Sequence, residues 1–479
     1  AKQVRADEGM WPLFLIQQLQ DSMQARGLQL TADDIYNINK ACIKDAVVRL
    51  MNKQNRMFCT GEIISQQGLF LTNHHCGYGA IQELSTPADN ILANGFWAKT
   101  QAEERPANFN IGLLSKVEDV TAMIVTDSVS AITDEAARSK AIAAVTKTVT
   151  AKLKESFGDE KDYWVIEIVP FWAGNKFLAM YYNVFQDIRL VGTPPENIGK
   201  FGGETDNWMW PRHTGDFSIF RIYADQSNNP AEYSKDNVPY KPKNFLKISL
   251  EGYKEGDFNM IMGFPGTTQR YLTSFGMDEI MNRSNPAQVD VFQAVTDVMK
   301  REMDKDEAVR IQLAADYAQL MNGLKLYKTQ VTGMKRMDAV AIKKTQETEF
   351  MKWAKSQGSK TQEQYTTMFQ NFDTAYQNLS KVSTELYYKL YSVVLLPTGN
   401  FAVALNDIES LFGDEAVTGD AKTQVIDGVK EAAEGMWESF NYNTELNKTI
   451  ALLNLMHKNL PAEKQPQILK DILANTKGA

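Results

Sequence analysis

A chain of 479 residues is too long for one hydrophobic core, so two or three domains are expected. Hydrophobic residues make up 43% and charged residues 23%, the balance of an ordinary globular protein; the formal charge is −8, with Lys and Arg scattered rather than in runs, which argues against nucleic acid and anionic membrane as partners. No apolar stretch approaches the about 20 residues that a spanning helix needs, so no membrane span is expected.

The chain opens Ala1-Lys2-Gln3-Val4-Arg5, without an initiator Met or an apolar leader, which fits a processed export product and a shortened chain alike. Up to about residue 275 the text is rich in strands and turns. Thr60-Gly61-Glu62-Ile63-Ile64-Ser65 and Gly68-Leu69-Phe70-Leu71-Thr72 read as two strands folded back on each other. They lie between Cys59 and Cys76, two of three cysteines; Cys42 is the third, and no CxxC zinc spacing occurs. The fold-back favours a Cys59–Cys76 disulfide, worth roughly 3 kcal/mol for so short a loop, and a disulfide implies an oxidising compartment. Three ordinary buried thiols are the alternative.

An amphipathic helix is expected at about 130–157. Trp164-Val165-Ile166-Glu167-Ile168-Val169 then runs into Pro170, and Gly174-Asn175 turns the chain into Phe177-Leu178-Ala179-Met180-Tyr181-Tyr182, a β-hairpin. Further strands are read at 187–191, 217–223 and 258–262, and short strands with Gly/Pro turns suggest a barrel or sandwich. After Pro286 no proline occurs until Pro397, and only three glycines fall in that span. Leu313, Tyr317, Leu320, Leu324, Tyr327 and Val331 step by four and three, the stripe of an amphipathic helix, and Phe369, Phe372, Tyr376 and Leu379 continue the pattern. This half is expected to be a domain of helical hairpins, with the boundary near Phe275.

The chemistry concentrates in the first half. Leu69-Phe70-Leu71-Thr72-Asn73-His74-His75-Cys76-Gly77 puts a His at a strand end, directly before a cysteine that a disulfide can fix. An imidazole, titrating near 6.5 when unperturbed, suits the activation of a hydroxyl at neutral pH. By itself the pair of His fits a bland loop better than a catalytic base. The segment 201–218 adds two Trp, three acids, Arg and His in an irregular stretch that leads into a strand, which suggests a binding surface. Asp216, between Gly215 and that strand, is placed to accept from a His Nδ1 and so fix the tautomer; a turn-capping Asp is the plain alternative.

Together ADEGMW (6–11), CTGEIIS (59–65), LTNHHCGYGAIQ (71–82), NGFWA (94–98), GGETDNWMWPRHTGDFSIFRIYAD (202–225) and MGFPGTT (262–268) resemble the dipeptidyl-peptidase 7 and dipeptidyl-peptidase 11 family of Gram-negative bacteria, with the wording nearer dipeptidyl-peptidase 7. The resemblance implies an α+β multidomain fold: a chymotrypsin-like double β-barrel, its second barrel incomplete here, with a large α-helical domain inserted to cap the cleft. The peptidase part would span 1–275 and the helical cap 276–479. It implies a serine peptidase of the periplasm or cell exterior that removes dipeptides from the free N-terminus of peptides, with no cofactor and no metal; a homodimer is left open. The triad His and Asp would be His75 and Asp216, and the substrate's amino terminus would be bound by Asn207, Trp208 and Asn322. Independently, Asn322 lies about 200° round its helix from Leu320 at 100° per residue, off the apolar stripe, and a solvated Asn is the alternative.

The family's nucleophile lies in a GNSGSP-like string that does not occur here, and GxSxG is also missing. The expectation is therefore a piece of a longer enzyme whose Ser, oxyanion-hole Gly and specificity position follow residue 479. A homologue that binds peptides without cleaving them is the alternative. A metalloenzyme using His74, His75, His213 and Asp216 is a third reading, weakened by the absence of HExxH.

Overall fold

The computed structural model describes residues 11–267, 269, 271–412 and 420–476. The start of the ADEGMW text, Thr268 of MGFPGTT, part of the helical text at 413–419 and the end of the chain lie outside the described residues. Two compact units form. The first comprises Ala1–Ser85, Asp89–Phe201 and His213–Thr268; the second comprises Thr86–Ala88, Gly202–Arg212 and Gln269–Ala479.

The first unit is built on one large antiparallel sheet. Its strands are β1 (Val47–Met51), β2 (Met57–Ile63), β3 (Leu69–Thr72), β4 (Phe96–Trp97), β5 (Arg105–Ala107), β6 (Asn110–Asp119), β7 (Trp164–Phe171), β8 (Lys176–Phe185), β9 (Ile188–Thr193), β10 (Ser218–Ala224) and β11 (Val238–Pro239). They run in the order β4-β9-β10-β3-β2-β1-β6-β8-β7, with β5 beside β9 and β11 beside β10. Every residue of β1 is buried between β2 and β6. Beside its own Val48 and Leu50, the residues Ile63, Phe70, Leu190, Phe220 and Ile222 of other strands are buried, and Phe70 of β3 stacks on Phe220 of β10 with ring centroids 5.6 Å apart. Such β-branched and aromatic contacts between neighbouring strands are what stabilise a sheet. Several charged groups taken inside are paired. Arg189 grips Asp187 through two hydrogen bonds of 2.9 and 2.7 Å, and Glu104 accepts from Arg221 and from the Tyr223 hydroxyl.

The hairpin read from Trp164 to Tyr182 is β7 and β8. Pro170 is tolerated inside β7 because that strand ends the sheet, where no further ladder needs its missing N–H. The helix expected at 130–157 runs Glu135–Glu155, begun by Asp134, whose side chain accepts from the Ala137 N–H at 2.8 Å. The strand expected at 258–262 does not form: those residues carry no regular structure, and Phe258 and Met262 instead pack against the cluster of Ile16, Met23 and Ile35. A strand needs a neighbour to take its N–H and C=O groups, and apolar text alone does not supply one.

The second unit is helical. Its longer helices are Asn285–Met303, Glu307–Arg336, Ala339–Ser356, Ser359–Ser380, Ser383–Val394, Pro397–Phe412, Asp420–Ser439 and Tyr442–Asn459. Leu313 and Leu324 of the expected stripe are buried, and the core gathers Val291, Val295, Met299, Leu313, Tyr388, Leu452 and Met456 from four of these helices. Among the described residues no helix is long and apolar enough to cross a membrane.

Cys59 of β2 and Cys76 form a disulfide with Cα atoms 6.0 Å apart, while Cys42 is a buried free thiol. The bridge closes a loop of 17 residues in sequence separation. Replacing both cysteines with Ser should lower the free energy of unfolding by about 3 kcal/mol. Chemical denaturation at equal pH checks it; an unchanged midpoint and slope would show that the bridge does not restrain the unfolded chain.

Candidate active site

The pairing of β3 with β10 sets the geometry. Thr72 lies opposite Ser218 and Leu71 opposite Ile219, so the chain leaves β3 and enters β10 at the same edge of the sheet. The Ser218 hydroxyl donates to the Asn73 carbonyl at 2.9 Å and ties the two segments just beyond the ladder. A helix, His74–Glu83, begins at once. A loop is the plain expectation at the His pair, and the structure starts a helix there instead, with Gly77 lying so close to Ser218 and Phe220 that a Cβ would fall 2.6 Å from the Ser218 hydroxyl.

The first N–H groups of a helix lack partners within it. Asp216 supplies one: its Oδ1 accepts from the His75 backbone N–H at 3.0 Å. Its other oxygen, Oδ2, lies 2.7 Å from Nδ1 of the His75 ring. Asn73 adds a third hold, donating from Nδ2 to the Asp216 carbonyl at 3.2 Å and more weakly to Oδ2 at 3.4 Å. Asn73 went unread in the sequence, although it stands directly before the His pair.

Burial pushes the Asp216 carboxyl up, but the hydrogen bond and charge of the His75 ring, the His75 N–H and the charge of His74 outweigh it and leave the group below the usual carboxylate range. An ionised carboxylate only accepts, so Nδ1 of His75 is the donor, and a neutral ring then offers Nε2 as a free acceptor. The His75 side chain is 67% exposed, against 17% for Asp216. The arrangement is an accessible base held in one tautomer by a sheltered acid.

His74 is the opposite. It is 1% exposed, its ring meets Tyr78 edge-on at 5.6 Å, and a Cβ at Gly199 would fall 2.4 Å from its Cδ2. Its Nε2 has no hydrogen-bond partner, and burial depresses its basicity. The turn that it braces is held by Tyr78, whose hydroxyl donates to Glu196 at 2.6 Å. That turn in turn accepts from the Gly215 N–H through the Ile198 carbonyl at 3.0 Å, one residue before Asp216. One His of the pair is thus core and the other is the reactive candidate.

His74, His75, His213 and Asp216 do not gather as metal ligands. Among the described residues, the group with ligand atoms within 4.8 Å of one another is Cys59, His75 and Cys76. The two sulfurs there are bonded to each other and offer no thiolate.

In the second unit, Asn207, Trp208 and Asn322 meet. Asn207 donates from Nδ2 to Asn322 Oδ1 at 2.9 Å, and Trp208 donates from Nε1 to the Asn322 carbonyl at 3.3 Å. Lys325, one turn on, donates to the Thr205 carbonyl at 2.7 Å. Asn322 is exposed and Trp208 is 52% exposed. An amide oxygen has two acceptor sites, so the Asn322 oxygen can still take a further donor beside an open indole face.

The sequence model of the peptidase S46 family matches residues 6–478. The chain belongs to this family. It is 40% identical over 432 residues to an Asp/Glu-specific dipeptidyl-peptidase of Capnocytophaga gingivalis, covering 88% of this chain and 58% of that protein. It is 36% identical over 475 residues to dipeptidyl-peptidase 7 of Porphyromonas gingivalis, covering 98% of this chain and 63% of that protein. The crystal structure of Porphyromonas endodontalis DPP11 in complex with the dipeptide Arg-Glu is similar to it with a TM-score of 0.82 at 35% identity, over 98% of this chain and 66% of that one. The S46 chain therefore spans about three-fifths of the length of the curated relatives it matches, and it shares with DPP11 a mixed architecture of a large antiparallel sheet and many helices.

The depressed basicity of His74 has a pH signature. Its folded value lies below the unfolded 6.5, so the unfolded chain binds the proton first as pH falls. Its contribution to stability is complete above the unfolded value and declines as pH drops through it toward the folded one. His74→Leu should therefore lose less stability than wild type between about pH 7.5 and about pH 5.5, read by urea unfolding. Equal losses would place that proton uptake on other groups.

Proposed function

We propose that the protein is a serine-type dipeptidyl aminopeptidase, built on a chymotrypsin-like double β-barrel with an inserted helical domain. Its peptidase part would span 1–275 and its helical cap 276–479. The observation that carries this reading is the double hold of Asp216 on the backbone and ring of His75. The names of the relatives support it, as does the complex of DPP11 with a dipeptide.

The reaction would be acyl transfer. A Ser outside residues 1–479 attacks the carbonyl after the second substrate residue, and His75 Nε2 takes the hydroxyl proton as the new C–O bond forms. The protonated imidazole, stabilised by Asp216, gives that proton to the leaving amine as the C–N bond breaks. Water repeats the cycle on the acyl-enzyme. No step calls on a metal. The free amino terminus would be held by the oxygens of Asn207 and Asn322 beside the Trp208 face, since an ammonium donates three hydrogen bonds and favours an aromatic ring. The Cys59–Cys76 bridge supports a periplasmic or secreted location, where disulfides persist.

Residues 1–479 alone should not turn over dipeptidyl chromogenic substrates, because losing the Ser of a triad costs on the order of 10⁶-fold in kcat. Sustained, EDTA-resistant turnover by a pure preparation would place the nucleophile inside the chain. In the longer enzyme, His75→Ala should abolish turnover. Asn207→Ala combined with Asn322→Ala should cost about one to two decades in kcat/KM and shrink the preference for free over N-acetylated peptides. A double variant that keeps the full wild-type preference would put the amine site elsewhere.

A further inference from the structure

The helices of the second unit line a half-open cavity of about 490 Å³ that shares no lining residue with the Asn207–Asn322 cluster. Met299, Leu320, Val394 and Phe401 give it apolar walls, and Asp316 and Lys448 bring two opposite charges to it from different helices. Lys448 is only 6% exposed, a rare position for an ammonium. Its ion-pair partner, Oε2 of Glu445, lies 3.7 Å away, long for a hydrogen bond. The Glu445 Oε1 is occupied by the N–H and hydroxyl of Thr398. Asp316 is exposed on the cavity wall, and the Lys448 charge acts on its carboxyl. Lys448 itself is pushed down by burial against the pull of Glu445 and Asp316. Two opposite charges thus border one cavity of mixed apolar and polar lining, to which Gln319 and Asn400 also contribute, and no hydrogen bond joins the two charges.

We propose that this cavity is a second binding site, for a small zwitterion with apolar side chains: a dipeptide whose carboxylate meets Lys448 and whose ammonium meets Asp316. A lone anion would be repelled by Asp316 and a lone cation by Lys448, while an apolar molecule would strip water from both charges without replacing it. A ligand with one charge of each sign completes both. The volume falls within the range of small-molecule pockets, about 300–1,000 Å³.

Binding needs no turnover, so the test uses residues 1–479 and isothermal titration calorimetry, with the fold checked by circular dichroism. Wild type should bind leucyl-leucine, and bind N-acetyl-leucyl-leucine and leucyl-leucinamide at least about tenfold more weakly, each having lost one charged contact. Asp316→Asn should weaken leucyl-leucine by a similar factor and leave the acetylated probe nearly unchanged. Lys448→Met should do the same with respect to the amide. If Lys448→Met fails to fold, Asp316→Asn decides, because it is conservative and on the cavity wall. Wild-type affinity for leucyl-leucine in Asp316→Asn overturns the proposal even if the peptide binds elsewhere, such as at Asn207 and Asn322. So does a wild-type protein that does not bind leucyl-leucine.

Discussion

Asp216 takes two hydrogen bonds from the same residue, one from the His75 backbone and one from its ring, and the candidate site of the first unit depends on that double contact. It exists because β3 and β10 pair in a register that puts Thr72 opposite Ser218. A slip by one residue would turn the side chains of β3 to the opposite face and carry His75 away from the carboxylate. The stack of Phe70 on Phe220 and the hydrogen bond from Ser218 to Asn73 lock the register from within the sheet and from its end. Beyond the ladder, the helix at His74 presents an unsatisfied N–H to a carboxylate, which a helix N-terminus favours on electrostatic grounds.

Environment, rather than residue type, separates the two histidines. His74 is wedged between Tyr78 and Gly199, and burial keeps its ring neutral. His75 points outward, with one nitrogen engaged and the other open. Adjacent residues at the start of a helix are about 100° apart around its axis, so one can serve the core while its neighbour faces solvent. The disulfide at Cys76 and the turn at Glu196–Gly199 brace the same short helix from two sides.

The segment Gly202–Arg212 shows how chain order and packing diverge. It lies in sequence between β9 and β10, yet it packs with the helical unit, where Asn207 and Trp208 contact Asn322 across more than a hundred residues. That unit buries Leu313 and Leu324 of its first stripe and still leaves a cavity whose charged groups, Asp316 and Lys448, are not hydrogen-bonded to each other. A buried ammonium whose ion-pair partner lies 3.7 Å away is costly to keep, which sets this part of the core apart from the tightly paired Arg189 and Asp187 of the sheet.

The sequence alone made the division of character legible: strand text before about residue 275, and after it a helical stripe of which Leu313 and Leu324 are indeed buried. It also singled out the candidate residues His75, Asp216, Asn207, Trp208 and Asn322, through dense motifs and their likeness to a family, and it suggested Cys59 with Cys76 from the fold-back between them. Local text could not say that residues 258–262 would stay irregular, because a strand depends on a partner that periodicity does not contain. Nor could it tell the core histidine from the exposed one, give Asn73 a part in holding Asp216, or place Lys448 beside Asp316 on one cavity. Those facts rest on contacts between residues far apart in the chain, and only the register of a sheet and the packing of helices bring such residues together.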